Sequence, residues 1–337
     1  MADLAEGFSP KQFQLAIAAE ADGIGGGEAT DADYKFINID SIEFPSLNPQ
    51  QVLDVRHGAG RTLKEVDLFL TNDLTVKEIS FSGIADATVL PLLLKNITQT
   101  SNVASLHIPA SYDPSELKVG DAGADAGTST FSVLLGVPES NNSMLFTACV
   151  LTSLTLNGDI AEESGRIKMS GTFKTGKKPS FTDNNNPSDT SHFNTNYFVT
   201  DYEGTNAAQV IAGLTSPIMK SFSCTLENDA QFMGFDSSGN YQIIARALPE
   251  AMVTFDSVIK YDADTDGLVA TFEGQDGSST VANTLTGKDG ATRNVDISIP
   301  KSVITDVSFS EEEAMFLSVS TRGVAGTSGN LVAFTIQ

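Results

Sequence analysis

Polar and apolar residues alternate with a period of two through most of this chain, the signature of strands that turn one face to a core and the other to water. Residues 36–42 alternate loosely, and a stretch rich in Pro, Asn and Gly follows, with Pro45, Pro49 and Gly58, which predicts a long loop. Val66, Leu68 and Leu70, then Ile79 and Phe81, predict a pair of strands. The period then changes to that of a helix over residues 89–96, with Thr88 as its cap and Pro91 in the first turn, where no intrahelical bond to its nitrogen is needed. Three further strands are predicted: Phe131 to Val137, Val150 to Leu156, and Ile167 to Phe173, the last two separated by an acidic turn at Glu162 and Glu163.

The same order returns after a polar stretch containing Asn184-Asn185-Asn186-Pro187. Phe222, Cys224 and Leu226 alternate with Ser and Thr, Val253 to Tyr261 forms a longer strand, and an acidic cap with a short apolar run, residues 268–272, takes the place of the helix. Val295, Ile297 and Ile299 are expected to replay the strand at Phe131. The clearest echo is Val303-Ile304-Thr305-Asp306-Val307-Ser308-Phe309, followed by Glu311-Glu312-Glu313 and a strand at Leu317, which repeats residues 150–156, their acidic turn and the strand after it almost type for type. The expectation is a mainly β chain built by internal duplication.

Composition narrows the functions open to such a chain. The 337 residues carry 20 Lys plus Arg against 43 Asp plus Glu, a net charge of -23, which disfavours binding to phosphate backbones by counterion release. Cys149 and Cys224 each sit inside an alternating apolar segment and read as buried reduced thiols. No export signal or membrane-length apolar run is visible, so assembly in a reducing cytoplasm is expected. His57, His107 and His192 are scattered without metal spacing, and none of the common nucleophile, zinc or phosphate-loop motifs occurs. No catalytic residue, cofactor or metal site is therefore predicted. One local match stands out: Asp262-Ala263-Asp264-Thr265-Asp266-Gly267 with Glu273 at the twelfth position fits a calcium loop. A strand before it and Gly274 and Gly277 after it oppose the flanking helices such a loop needs, so it reads as a turn whose Asp264 or Asp266 caps a short helix.

The strand opening at residues 34–42 after a Gly-rich lead, the Leu-rich helix Val89-Leu90-Pro91-Leu92-Leu93-Leu94-Lys95, the phrase Cys149-Val150-Leu151-Thr152-Ser153-Leu154-Thr155-Leu156 and the later Ser221-Phe222-Ser223-Cys224-Thr225-Leu226-Glu227-Asn228 together resemble the major tail tube proteins of siphovirus-type, long-tailed bacteriophages. The resemblance implies two tandem tail-tube-like β-sandwich or barrel domains, each with a flanking helix. They span residues 34–176 and 215–337, with an N-terminal arm at 1–33 and a linker at 177–214. It further implies a structural virion protein, not an enzyme, that self-associates into rings stacked as a tail tube. The duplication favours a trimeric pseudo-hexamer over a hexamer, tape-measure and tail-terminator or tip proteins are the expected partners, and DNA passes through the channel without specific binding; the net charge of -23 adds the expectation that this channel is negatively lined. The competing classes are an acidic surface module, such as a capsid decoration protein or a calcium-dependent adhesin, and, behind it, a carbohydrate-active enzyme on a β scaffold.

Overall fold

The computed structural model describes residues 13–20, 33–45, 51–53, 68–70, 76–98, 106–109, 130–136, 143–182, 197–202, 209–235, 241–247, 252–263, 265–275, 279–289, 293–311, 315–325 and 330–336. In chain order the first elements are β1 (Gln14–Ala19), β2 (Lys35–Ile37), β3 (Ile39–Glu43), β4 (Gln51–Leu53), β5 (Leu68–Leu70), β6 (Lys77–Ile84), α1 (Leu90–Thr98), β7 (Leu106–Pro109), β8 (Phe131–Gly136), β9 (Ser143–Asp159), β10 (Lys168–Thr175) and β11 (Ser180–Thr182). The chain continues through β12 (Val199–Thr200), β13 (Val210–Ile211), β14 (Leu214–Thr215), β15 (Met219–Glu227), β16 (Asp229–Phe235), β17 (Tyr241–Ala247) and β18 (Val253–Lys260). It ends with α2 (Gly267–Glu273), β19 (Val281–Asp289), β20 (Arg293–Glu311), β21 (Met315–Gly323) and β22 (Asn330–Ile336). The architecture is mainly β, with one large antiparallel sheet and two separate hairpins, β4–β5 and β16–β17.

Eight strands of the large sheet lie side by side in the order β3, β6, β10, β9, β15, β18, β21, β20, every neighbour antiparallel. The long strands β9 and β20 also serve a second layer with their first halves. There β9 joins β2, β1, β8 and β11, while β20 joins β19, β22 and β7, with β12 and β13 on the far side of β19. Between the layers lies one buried cluster that takes Leu15, Ile17 and Val133 from the second layer and Ile79, Leu154, Cys224, Phe255 and Val319 from the first. Helix α1 packs on β9 and β7, and α2 on β20.

The pairing scheme of the first half recurs in the second, residue for residue at the irregular positions. Strand β9 skips Thr152 against β10, and β20 skips Thr305 against β21. At both bulges the threonine hydroxyl donates to a carbonyl across the hairpin, Thr172 in one case and Ser320 in the other, each at 3.1 Å. The amide before the bulge donates to a side-chain carboxamide from the helical segment: Leu151 to Asn96 Oδ1 at 2.9 Å, and Ile304 to Gln275 Oε1 at 2.8 Å. Strand β8 meets β9 through Phe131↔Cys149 and Val133↔Phe146 around one irregularity, as β19 meets β20 through Val281↔Ser302 and Asn283↔Ile299. The register shift of β3 between Ile39 and Ser41 against β6 matches that of β15 between Met219 and Ser221 against β18. Strand β11 adds to the first half of β9 as β22 adds to that of β20.

Several expectations need correction. Residues 14–19, expected within an N-terminal arm, form the buried strand β1 between β2 and β8, because Leu15 and Ile17 supply one face of the core and Ala16 and Ala18 the other; the Gly-rich segment itself lies outside the described residues. The expected linker at 177–214 contributes β11, β12 and β13 to the sheet, and its Asn-rich part lies outside the described residues. Helix α1 is capped by Asp86, not Thr88: one Asp86 carboxylate oxygen accepts the amides of Thr88 and Val89 at 2.8 Å, and the Asp86 carbonyl accepts that of Leu90. Residues 295–299 and 303–309 are one strand, since Pro300, which has no amide hydrogen, falls at the irregularity opposite Ala282 where no ladder bond is lost. The counterpart of the Phe131 strand is consequently β19, whereas Val295, Ile297 and Ile299 correspond to the first half of β9.

Candidate functional site

Among the described residues, those singled out for chemistry do not converge. His57 and His192 lie outside the described residues, and His107 falls on β7. In the calcium-like segment Asp262 closes a turn with Thr265, its amide donating to Thr265 Oγ1 at 2.8 Å and its carboxylate accepting the Thr265 amide at 3.3 Å. Asp266 stands at the N-cap of α2 but makes no capping bond; its carboxylate accepts the Tyr261 hydroxyl at 3.1 Å, which raises the pKa of that phenol. The expected aspartate cap is therefore corrected at Asp266, whose backbone is already helical (φ -57°, ψ -34°) where a capping side chain needs an extended one, and Asp264 lies outside the described residues. Among the described residues no group of His, Cys, Asp and Glu is placed to share a metal ion, and no helix is long and apolar enough to cross a membrane.

Both cysteines are buried free thiols. Burial pushes Cys224 up to about 12, with Asp256 adding to it, and raises Cys149 well above the ordinary thiol range, with Glu20 adding to it. The buried carboxylates are absorbed by structure. Glu20 accepts from the Ala148 amide at 2.8 Å, the Ser132 hydroxyl at 3.0 Å and the Thr130 hydroxyl, tying the end of β1 to β8. It thereby holds Ala148 of β9 in a left-handed backbone conformation, φ 55°. Asp201 receives Lys288 Nζ at 2.8 Å.

What the fold does assemble is a surface. On the eight-strand run, buried apolar residues alternate with polar ones, so the side away from the core presents Ser80, Ser82, Ser170, Thr172, Ser153, Thr155, Asn157, Ser221, Ser223, Thr225, Ser318, Ser320 and Ser308. Hydroxyls pair across strand boundaries: Ser41 with Ser82 at 2.8 Å, Ser80 with Thr172 at 3.0 Å, and Thr155 with Thr225 at 2.9 Å across the β9–β15 boundary that joins the two halves. Charges are sparse and mixed: the carboxylates of Glu43, Glu78, Asp159, Glu227, Asp256 and Asp306 outnumber Lys168, Lys174, Lys260 and Arg322, and Lys174 is paired with Glu78 at 3.0 Å. Glycine at 158 keeps the β9–β15 boundary tight, since a Cβ there would stand 2.7 Å from Thr200 Oγ1 and 2.8 Å from the Phe222 ring. Serine and threonine hydroxyls donate or accept and are uncharged at neutral pH, so this face holds water without fixing a strong charge.

The alternation that marks these strands was legible in the sequence, but their assembly into one wall was not, because no local pattern says that β9 is followed in space by β15. No protein family matches this sequence, and no curated protein matches it either.

Proposed function

We propose that this protein is a structural subunit of a bacteriophage tail tube, built from two tandem copies of one β domain and assembled into rings that stack around a DNA-conducting channel. The observation that carries the reading is the recurrence of the same irregularities in the same pairing order, with the two halves joined edge to edge through β9 and β15. A duplicated domain that already joins its copy through a sheet edge supplies the repeating unit of a ring, and ring closure is the general way to remove unpaired edges. Two domains per chain favour three chains per ring, a pseudo-hexamer.

In this reading the hydroxyl-lined face forms the channel wall. Phosphates gain affinity where cations neutralise them and release counterions, and each such contact must be broken as DNA advances. A wall of hydrated hydroxyls with a slight excess of carboxylates avoids that drag. The role is structural and non-enzymatic, with tape-measure and tail-terminator or tip proteins as the other tube components, and the virion as the destination. Negative-stain microscopy of the purified protein tests it: rings or tubes with a central channel are expected, and a protein that stays monomeric at every concentration and salt condition tried would sink the assignment.

A further inference from the structure

The eight-strand run ends in β3 on one side and in the second half of β20 on the other, and among the described residues neither edge has a strand beyond it. The internal correspondence says what these edges are. Strand β3 stands to β6 as β15 stands to β18, with the register shift at the same place, and β20 stands to β21 as β9 stands to β10, with the bulge at the same threonine. Strands β15 and β9 are joined to each other inside the chain, with Cys224 opposite Leu156. We propose that a second copy of this chain docks its β3 antiparallel on β20 in the register of that internal joint, with Phe44 of one copy opposite Phe309 of the next.

Counting from the shared shifts makes the assignment specific. Phe44 lies two residues beyond Ile42, as Cys224 lies two beyond Phe222; Phe309 lies four beyond the skipped Thr305, as Leu156 lies four beyond the skipped Thr152. Cys224 and Leu156 are each 1% exposed, whereas Phe44 is 46% and Phe309 57% exposed. Two large aromatics thus stand open at the two positions whose counterparts are buried against each other. Each already has one aromatic neighbour, Phe13 at 5.1 Å from Phe44 and Tyr261 at 5.4 Å from Phe309, so the joint brings four rings together. Pro45, where the counterpart is Thr225, lacks an amide hydrogen and limits the new ladder to the residues before it, which makes the aromatic contact the main anchor. Within one chain the two phenylalanines sit at the two edge strands of the eight, seven strand steps or roughly 34 Å along the sheet at about 4.8 Å per step, so contact between them needs two copies.

The inference rests on the self-association part of the proposed function but not on the tube itself. Its test is disulfide capture in the full chain carrying Phe44→Cys and Phe309→Cys, whose native thiols are buried. Mild oxidation is expected to give a ladder of covalent multimers on a non-reducing gel, with each single variant stopping at dimers. Pairing Phe44→Cys with Val307→Cys or Glu311→Cys, a slip of two residues either way, is expected to cross-link at least tenfold more slowly. Phe309→Asp is expected to leave the chain folded, with an unchanged Tm, and monomeric in sedimentation. Absence of the 44–309 cross-link, equal capture at 307 or 311, or association that survives Phe309→Asp overturns the joint. Tubes seen by microscopy without 44–309 capture would reject this register and keep the tube; capture without rings or tubes would keep the joint and reject the tube.

Discussion

Cys224 lies opposite Phe255 on one neighbouring strand and Leu156 on the other, and its thiol is pushed up to about 12 by burial, from an ordinary 9.0. A folded-state pKa raised above the unfolded one gives stability that is complete below the unfolded value and is lost as pH rises through the folded value. The stabilising contribution of this one group is therefore expected to be complete up to about pH 9 and to fall by about 1.4 kcal/mol per pH unit on the way to about 12. Cys149, also raised by burial, and Tyr202, raised to about 12, steepen the decline. Urea denaturation at several alkaline pH values checks this: Cys224→Val, close in volume, should make the slope shallower by about one group's share, and an unchanged slope would mean that Cys224 ionises freely in the folded chain. Neither cysteine is expected to react with thiol reagents until the protein unfolds.

A strand is only as regular as its neighbours allow, and the two long strands carry the same fault in the same place. At each bulge one backbone amide turns out of the ladder and is met by a carboxamide, from Asn96 on α1 or from Gln275 just after α2. The helices therefore hold the irregularity of the strands they cover as well as their apolar face. Asn96→Ala and Gln275→Ala should each destabilise by about 1–3 kcal/mol, the cost of leaving a buried donor unpaired. The loss at Gln275 should fall at the lower end, since its Nε2 has no partner among the described residues and removing it also removes an unsatisfied group. Chemical denaturation of the two single variants measures both. A negligible effect at either position would mean that water or a neighbouring group takes the amide, and the correspondence between the halves would then be one of shape alone.

Taken as a whole, the molecule places a polar, hydroxyl-bearing wall on one side of the eight-strand run and buries the other side beneath a second layer. Among the described residues the buried charged side chains are those of Glu20, Lys77, Asp86 and Asp201, so most of the described charge faces solvent, and in the proposed assembly the acidic excess would keep concentrated subunits apart until specific edges meet. If one internal joint already supplies half of the joints of a ring, three chains of 35.6 kDa complete six similar units. Native mass measurement of isolated rings is expected to return three chains; six chains would remove the pseudo-hexamer and leave the edge joint standing.

The sequence by itself determined what depends on near neighbours. Period-two alternation marked the strand faces from Ile79 to Phe81 and from Phe222 to Leu226, the Leu-rich run marked α1, and the surroundings of Cys149 and Cys224 marked buried thiols, because each follows from side-chain size and polarity over a few residues. The likeness of residues 150–156 to 303–309 was equally legible, and these segments do occupy matching places in their hairpins. Only the tertiary structure decided that β1 threads the second layer, that Asp86 caps α1, that β9 and β20 each serve two layers, and that β9 is joined to β15. Those outcomes depend on partners distant in the chain and on bulges that shift register by one residue, and alternation along a single strand carries no record of which other strand lies beside it.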